Sequence, residues 1–346
     1  MTLRTLLALV VTGALLSACR GGPSPAAQPT PLAYVTATEP VGEDADDMAI
    51  WVNRAAPAES RIVATNKTAA PAGALVVLDL AGRIRQRVTG IDRPNNVDLE
   101  YGFRLGGEAI DLVVVTERYQ RRLRAFRVQG DGTLAELPAE DGLRVFAGEV
   151  GERGAPMGVG LYRRPSDGVV FAILSRKETP RSGALWQYLL EDDGRGRVRA
   201  VKVRELGTIE AGSEVEAIVV DDALGHVYFS EEPKAIHKWR ADPGHHEAGV
   251  EVARFGRTEF RGEREGLAIY ARSDGTGHLL ASDQREGASR YLVFRRQGSP
   301  LPPHANQLVT VLEGGADATD GIDATSESLG PRFPHGVLVV LSLIHI

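Results

Sequence analysis

The sequence predicts an all-β protein built as a single-domain, six-bladed β-propeller. A short, strand-like apolar run recurs six times, and the six runs begin near Ile62, Asp111, Val169, His226, His278 and Val337. Each of the first five is followed by a polar turn and a second such run, and no long stretch has a helical period. Repeats of about 50–60 residues with four short strands each are typical of propeller blades. A pair of β-sandwiches with accidental spacing is the alternative, and six regular repeats disfavour it.

Composition agrees with a turn-rich globular protein and excludes several functions. The 346 residues include 39 glycines and 19 prolines, which suit many short strands joined by turns. The 40 Lys and Arg residues against 46 Asp and Glu residues give a net charge of −6, which argues against a nucleic-acid-binding protein. The single cysteine excludes an internal disulfide and a cysteine-based zinc site.

The N-terminus has the features of an export signal. Arg4 precedes an apolar run over residues 6–16, and Leu16-Ser17-Ala18-Cys19 resembles a bacterial lipobox. We therefore expect a signal peptide over residues 1–18 and a Pro-rich tether over residues 19–33, with Cys19 lipidated. A plain secretory signal cleaved after Ala18 is the alternative. Both interpretations predict an extracytoplasmic protein, which is either a membrane-anchored lipoprotein or a secreted or periplasmic protein.

The last six residues differ in character from the rest of the chain. Residues 341–346 read LSLIHI, which corresponds in frame to the translation of a sequencing-library adapter. We interpret them as an artefact that replaces the native C-terminus, so the propeller domain is predicted over residues 34–340. A genuine apolar closing strand is the alternative.

A first ring of residues follows from aligning the repeats. Each repeat has a strand that starts ten to fifteen residues before its marked run, and the aligned positions are Asp47, Asp98, Met157, Glu216, Glu265 and Asp323. Equivalent positions of propeller blades converge on the central channel, so five carboxylates are predicted to face one another there. Like charges this close require a cation, and carboxylate oxygens from several segments suit Ca²⁺. A single acid of this kind would more often be a solvated loop residue.

A second ring lies at the ends of the marked runs. It consists of Asn66-Lys67, Glu117-Arg118, Arg176-Lys177-Glu178, Glu231-Glu232 and Asp283-Gln284. Three repeats contribute cations and two contribute acids or an amide. Such a rim suits a polyanion whose charge is shared between Lys or Arg side chains and bound metal. The alternative is a mixed-charge surface without a ligand.

Several motifs together resemble those of the β-propeller phytases. They are Asp44–Trp51 (DADDMAIW), Asn95–Leu99 (NNVDL), Glu265-Gly266-Leu267, and Asp320–Asp323 (DGID) with Leu329-Gly330-Pro331. The resemblance extends from Asp44 to Val340 with the motifs in order. It implies a calcium-dependent 3-phytase, a phosphoric monoester hydrolase that releases phosphate from phytate (myo-inositol hexakisphosphate) and acts less well on related phosphomonoesters.

The resemblance also implies roles for individual residues. The implied calcium ligands, for several ions, are Asp46, Asp47, Glu216, Glu232, Glu265, Asp320 and Asp323. The implied catalytic residues are Lys67, Arg118, Lys177, Glu178 and Glu232, and the implied phosphate contacts are Lys67, Arg118, Lys177 and Gln284. Met157 stands where some members of the family have a calcium-side tyrosine, so we expect this blade to lose one ligand. LSLIHI replaces the acidic, Gly-containing segment that follows the last strand in the family, so we expect an unfinished sixth blade and a rim short of one polar residue.

Other phosphatase chemistries lack their motifs in this chain. The sequence has no Arg-His-Gly stretch, no cysteine beyond the leader and no Asp-x-Asp-x-Thr/Val. Direct attack of a calcium-activated water is therefore the expected mechanism. His245-His246 is interpreted as a surface loop rather than a zinc site.

Two alternative functions stay open at this point. They are a calcium-dependent propeller lactonase and a lipid-anchored propeller that binds inositol phosphates without turnover. A lactonase needs a metal in the channel but no Lys/Arg cluster. We expect a monomer that binds phytate and related inositol phosphates, and that contacts a membrane through a lipid on Cys19.

Overall fold

The computed structural model describes residues 29–298 and 304–342. The strands form six sheets, of which five contain four mutually paired consecutive strands and the sixth contains two. The prediction of an all-β, single-domain propeller is confirmed. The predicted signal peptide, the greater part of the tether with Cys19, and residues 343–346 lie outside the described residues.

The first strand of each sheet lines the central channel. These inner strands are β2 (Ala45–Trp51), β6 (Pro94–Leu105), β10 (Pro156–Arg163), β14 (Ile218–Asp221), β18 (Leu267–Ala271) and β22 (Ile322–Thr325). Each inner strand contacts the inner strand of the next sheet, and β22 contacts β2, which closes the ring. Because every inner strand starts at the same end of the channel, equivalent residues lie at equal depth.

The second and third strands form the middle of each blade. The second strands are β3 (Arg61–Asn66), β7 (Glu108–Glu117), β11 (Val170–Arg176), β15 (His226–Glu231), β19 (Gly277–Asp283) and β23 (Val337–Val340). The third strands are β4 (Ala74–Asp79), β8 (Arg122–Val128), β12 (Ser182–Asp192), β16 (Ala235–Arg240) and β20 (Arg290–Arg295). The second strands coincide with the apolar runs that set the repeat period in the sequence.

The outer strands complete five of the blades. They are β5 (Ile84–Thr89), β9 (Leu134–Glu136), β13 (Val198–Thr208), β17 (Glu251–Phe255) and β21 (Leu308–Gly314). A further strand, β1 (Thr30–Leu32), pairs in parallel with β21 and so joins the end of the tether to the fifth blade. Helical structure among the described residues is limited to three short 3₁₀ segments, Pro57–Glu59, Glu140–Leu143 and Gly151–Gly154.

The burial pattern follows from how the blades stack. All six residues of β4 are buried, because a middle strand is covered on both faces by neighbouring blades. In the adjacent β5, half-buried and exposed residues alternate, as expected for an outer strand with one solvated face. The apolar cores accordingly lie between blades, for example where Phe103 and Leu112 of the second blade meet Leu161 and Leu174 of the third.

The sixth blade is smaller than the other five. Within the described residues it contains β22 and β23, which pair antiparallel with Ile322 opposite Val340. The described residues after β23 form no further strand, so this blade has two of the four strands found in the others, in line with the unfinished sixth blade expected from the sequence. The two strands still pack against the neighbouring fifth and first blades. No helix of the described chain has the length and apolarity needed to cross a membrane.

Candidate functional site

Antiparallel pairing inside each blade brings the two predicted rings to the same end of the channel. The start of an inner strand lies beside the end of the second strand, as where the Lys67 backbone N–H donates to the carbonyl of Asp44 at 2.6 Å. The same contact recurs in the fifth blade, where the Gln284 N–H donates to the carbonyl of Glu263 at 2.9 Å. We call this end the channel mouth.

The strand register identifies the equivalent residues of the first ring. The first regular pairs of the six blades are Met48↔Ala64, Val97↔Val115, Val159↔Leu174, Ile218↔Phe229, Leu267↔Ala281 and Ile322↔Val340. The residues two positions before these inner-strand residues form the mouth ring, which consists of Asp46, Asn95, Met157, Glu216, Glu265 and Asp320.

The predicted first ring is thus in register in three blades and displaced in three. Met157, Glu216 and Glu265 occupy mouth-ring positions, whereas Asp47, Asp98 and Asp323 lie one or three residues further along their strands. Register shifts follow Ala45, Pro94 and Pro156 at the starts of the first three inner strands. Such bulges add residues that sequence spacing alone does not reveal.

The structure brings one residue of the predicted second ring from each of five blades to equivalent positions, whereas the residues just before them, Asn66, Glu117, Arg176, Glu231 and Asp283, are buried inside the blades. The residues three positions after the partners in the second strands are Lys67, Arg118, Lys177, Glu232 and Gln284, and we call them the rim ring. The equivalent position in the sixth blade is residue 343, outside the described range. The rim ring therefore places three cations in consecutive blades and a carboxylate and an amide in the next two.

A hydrogen-bonded network joins the two rings across the first, second and fourth blades. The Lys67 ammonium donates to Asp46 and lies 3.8 Å from Glu216. The Asn95 amide donates to Asp46 at 2.9 Å and also to Glu216, while its carbonyl oxygen accepts from Arg118. Asn95 is fully buried and was not predicted as a site residue, because an alignment that looks for acids passes over an amide.

Three carboxylates converge on the acidic side of the mouth. One oxygen from each of Glu216, Glu232 and Glu265 lies within 4.8 Å of the others. The Oε1 atom of Glu232 is buried and has no hydrogen-bond partner in the part of the chain that the structure describes. A buried carboxylate oxygen without a donor is unfavourable unless a cation or water satisfies it.

Burial and mutual repulsion raise the proton affinity of these carboxylates. Burial and the neighbouring Glu216 raise the pKa of Glu232 to about 8, and burial with Glu232 raises that of Glu265 to about 10. Burial opposes the charge of Lys67, but Asp46 and Glu216 outweigh it and raise the pKa of the ammonium. Five carboxylates in the two rings face three cations, and the oxygen-rich excess fits a hard cation such as Ca²⁺.

The remaining predicted residues lie around the mouth with partners of their own. Lys177 donates to Glu214 at 2.5 Å, and Gln284 donates to Asp320. Glu178 pairs with Arg153 at 2.9 Å on the exposed side of the rim. Glu214 was missed by the sequence alignment, since it lies in a loop between blades where no repeat register applies.

The displaced acids form a deeper level that we call the mid-channel ring, namely Asp47, Asp98 and Asp323. Each accepts a backbone N–H from the next inner strand, with Val97 at 3.0 Å, Leu161 at 2.7 Å and Ile50 at 2.7 Å from their respective carboxylates. Burial raises the pKa of Asp47 to about 8 and that of Asp323 to about 6.

Fold and mouth together define a β-propeller with a mixed cationic and carboxylate site at one end of its axial channel. The sequence matches the Phytase family over residues 1–342. It is 35% identical over 312 residues to the 3-phytase of Bacillus subtilis (strain 168), covering 88% of this chain and 76% of that protein. The chain belongs to the Phytase family, so the predicted resemblance and enzyme class are confirmed.

Solved structures give weaker likenesses. The β-propeller domain of Cps50 (Swd1) from Myceliophteria thermophila has a TM-score of 0.43 and 10% identity, covering 81% of this chain and 76% of that one. The structure of BBS1N in complex with ARL6DN gives a TM-score of 0.47 and 9% identity, covering 85% of this chain and 75% of the other. The fold described above rests on the strand order and register of this chain itself.

Proposed function

We propose that the channel mouth hydrolyses phytate to release inorganic phosphate and that it does so with calcium. The observation that carries the proposal is that a three-cation arc, Lys67, Arg118 and Lys177, lies at the same channel mouth as the Glu216–Glu232–Glu265 cluster, with the Lys67 ammonium 3.8 Å from Glu216. Family membership and the similarity to a 3-phytase support phytate as the substrate. A lactonase has no need of this cationic arc, which favours a phosphate ester.

The carboxylates at the mouth have the chemistry of a calcium site. Glu216, Glu232 and Glu265 would hold the ion, and Asp46 and Asp320 belong to the same ring and face the same channel. The raised pKa of Glu232 and the lack of a partner for its Oε1 among the described residues support cation binding there. Asp47 and Asp323 are weaker candidates, because both already accept backbone N–H groups. When bound, calcium would supply positive charge to phosphate oxygens and lower the pKa of the attacking water.

The cations would bind and orient the phosphate. In the chain alone, Lys67 is paired with Asp46 and Lys177 with Glu214, so their charges are held by carboxylates rather than by solvent. Ligation of Asp46 at the calcium site would leave the Lys67 ammonium to contact phosphate. Arg118 is positioned by Asn95, and its guanidinium geometry suits bidentate contact with phosphate oxygens. Their charges would stabilise the charge that develops on the transferred phosphoryl group.

Release of inorganic phosphate from phytate, measured with calcium and with a chelator, tests this proposal. We expect turnover in calcium and its loss in chelator, with recovery when calcium is restored. Phytate binding without phosphate release would instead identify an inositol-phosphate-binding propeller. Turnover that persists in chelator would overturn the calcium dependence while leaving phosphatase activity in place.

We also propose that the protein is exported and anchored by a lipid on Cys19. The lipobox-like sequence and the Pro-rich segment that follows it support this proposal, and β1 would attach the end of that tether to the fifth blade. Cys19→Ala should move the protein from the membrane fraction to the soluble fraction. A wild-type protein that is already soluble and begins at another residue would contradict the anchor.

A further inference from the structure

A buried histidine in the fourth blade lies between two carboxylates. The Nε2 atom of His237 is 3.0 Å from Oε2 of Glu231, and its Nδ1 atom is 2.6 Å from Oε1 of Glu251. The side chains of His237 and Glu231 are fully buried, and the imidazole stacks on Phe229 with ring centroids 4.6 Å apart. None of these four residues belongs to the mouth ring or the rim ring.

Both ring nitrogens of His237 lie within hydrogen-bond distance of a carboxylate oxygen. An ionised carboxylate only accepts hydrogen bonds, so the Nε2–H of the imidazole is the donor to Glu231. Burial opposes the ionisation of Glu251, but hydrogen bonds from His237 and Arg254 outweigh it and hold the pKa of that carboxyl below its usual range. Burial likewise opposes the ionisation of Glu231, but hydrogen bonds from Ser213, the Glu210 backbone and His237 outweigh it and hold the pKa of that carboxyl below its usual range.

Glu231 connects His237 to a loop that carries residues of the channel mouth. Its Oε1 atom accepts the backbone N–H of Glu210 at 2.8 Å and the hydroxyl of Ser213 at 2.7 Å. Both donors lie in the loop over residues 209–217, which joins β13 to β14. The same loop presents Glu214 to Lys177 and Glu216 to the carboxylate cluster.

We propose that His237 is a positioning residue for the calcium site, because it fixes the Glu231 carboxylate that holds the 209–217 loop and thereby sets the place of Glu216. This inference rests on the proposed calcium-dependent function. Three donors on two oxygens leave Glu231 one orientation, and loss of the His237 donor would let the carboxylate turn away from the loop. Residues that orient metal ligands typically contribute about 10–100-fold to metal affinity.

Two amide substitutions of His237 distinguish a role in positioning Glu231 from a role in packing alone. In His237→Gln the side-chain amide reaches the Nε2 position and still donates to Glu231. In His237→Asn the amide reaches only the Nδ1 position, so it donates to Glu251 and leaves Glu231 without that donor. We expect His237→Asn to raise the calcium dissociation constant, measured by titration calorimetry, by about 10–100-fold. His237→Gln should retain most of the calcium affinity. The calcium concentration for half-maximal phosphate release should shift in parallel.

A matched control comes from the same blade. His226 is also buried in β15, but its ring contacts Arg240 and His304 rather than the loop. His226→Asn should lower the melting temperature without changing calcium affinity. Ser213→Ala removes a single donor to Glu231 and serves as a milder variant, expected to weaken calcium binding in the same direction, if His237→Asn does not fold.

The outcomes distinguish the two proposals. Wild-type calcium affinity in both His237→Asn and Ser213→Ala would overturn the positioning role, and so would equal losses in the Gln and Asn variants that follow only their melting temperatures. A wild-type protein that binds calcium but releases no phosphate from phytate would contradict the proposed function. The calcium titrations would then still decide the role of His237.

Discussion

Carboxylates occupy two levels of the same channel, and the protein satisfies them differently. In the mid-channel ring, Asp47, Asp98 and Asp323 each accept a backbone N–H from the neighbouring inner strand. At the mouth, Glu216, Glu232 and Glu265 converge on one another, and Oε1 of Glu232 has no partner among the described residues. A buried acid with its own donors stabilises the junction between blades, whereas acids that face each other need a cation from outside the chain.

Acidity and location in the channel therefore do not by themselves define a metal site. Both levels consist of carboxylates that the channel shields from solvent, and burial raises the pKa of Asp47 in one level and of Glu265 in the other. They differ in the donors that the backbone offers, which depends on depth along the inner strands. A mid-channel acid that proves essential for calcium binding would remove this distinction. Calcium binding that depends only on residues at the mouth would strengthen it.

The largest expected effect concerns the cationic arc beside the mouth. Lys177→Ala should lower kcat for phytate by about one to three orders of magnitude, because it removes a charge that acts mainly on the transition state. Calcium-dependent melting should stay nearly unchanged, since Lys177 contacts Glu214 and none of the three clustered carboxylates. Steady-state kinetics with a calcium-saturated enzyme provides the measurement. Full activity in this variant would show that the cationic arc does not form the phosphate site.

The pH dependence of stability should distinguish calcium-free from calcium-loaded protein. The pKa values of Glu232 and Glu265 are raised to about 8 and about 10, so in chelator the folded state keeps protons that the unfolded state loses. That stabilisation is complete below the ordinary pKa of about 4.5 and is lost as pH rises through the raised values. We therefore expect the free energy of unfolding to fall from about pH 5 to 9, by at most about 1.4 kcal/mol per pH unit for each carboxyl.

Calcium should suppress that fall, because the bound cation replaces the protons. Melting temperatures across this pH range, in chelator and in calcium, give the comparison. A chelated protein whose melting temperature rises steadily with pH would contradict the electrostatics assigned to the mouth.

A smaller effect is expected from the mid-channel ring. Asp98→Ala leaves the Leu161 N–H without its acceptor, so the free energy of unfolding in urea should fall by about 1–3 kcal/mol. Phytate turnover at saturating calcium should stay close to that of the wild type. A loss of turnover that added calcium reverses would move Asp98 into the metal site and collapse the distinction between the two levels.

The propeller fold and the rim ring could be predicted from the sequence. Apolar second strands repeat because stacked blades bury them on both faces, and Lys67, Arg118 and Lys177 follow those strands directly. The mouth ring was recovered only in part, because bulges after Ala45 and Pro94 displace the register of two inner strands, and in the unbulged β22 the acid chosen from the sequence, Asp323, lies three residues past the ring position.

Other features depend on tertiary contacts that spacing along the chain does not encode. Asn95 joins Asp46 to Glu216, from which it is separated by 121 residues of sequence, and it carries no charge that an alignment of acids would detect. His237 lies in the middle of an ordinary strand, and its link to the 209–217 loop follows only from the packing of the fourth blade.

The central claim is that the mouth, and not the mid-channel ring, holds calcium. Calorimetric titration of calcium into Glu265→Gln and Asp98→Asn tests it directly, since each variant removes one negative charge from one level and keeps the size of the side chain. We predict that Glu265→Gln weakens binding at least about tenfold and that Asp98→Asn binds like the wild type. Wild-type affinity in Glu265→Gln together with weakened affinity in Asp98→Asn would contradict the account.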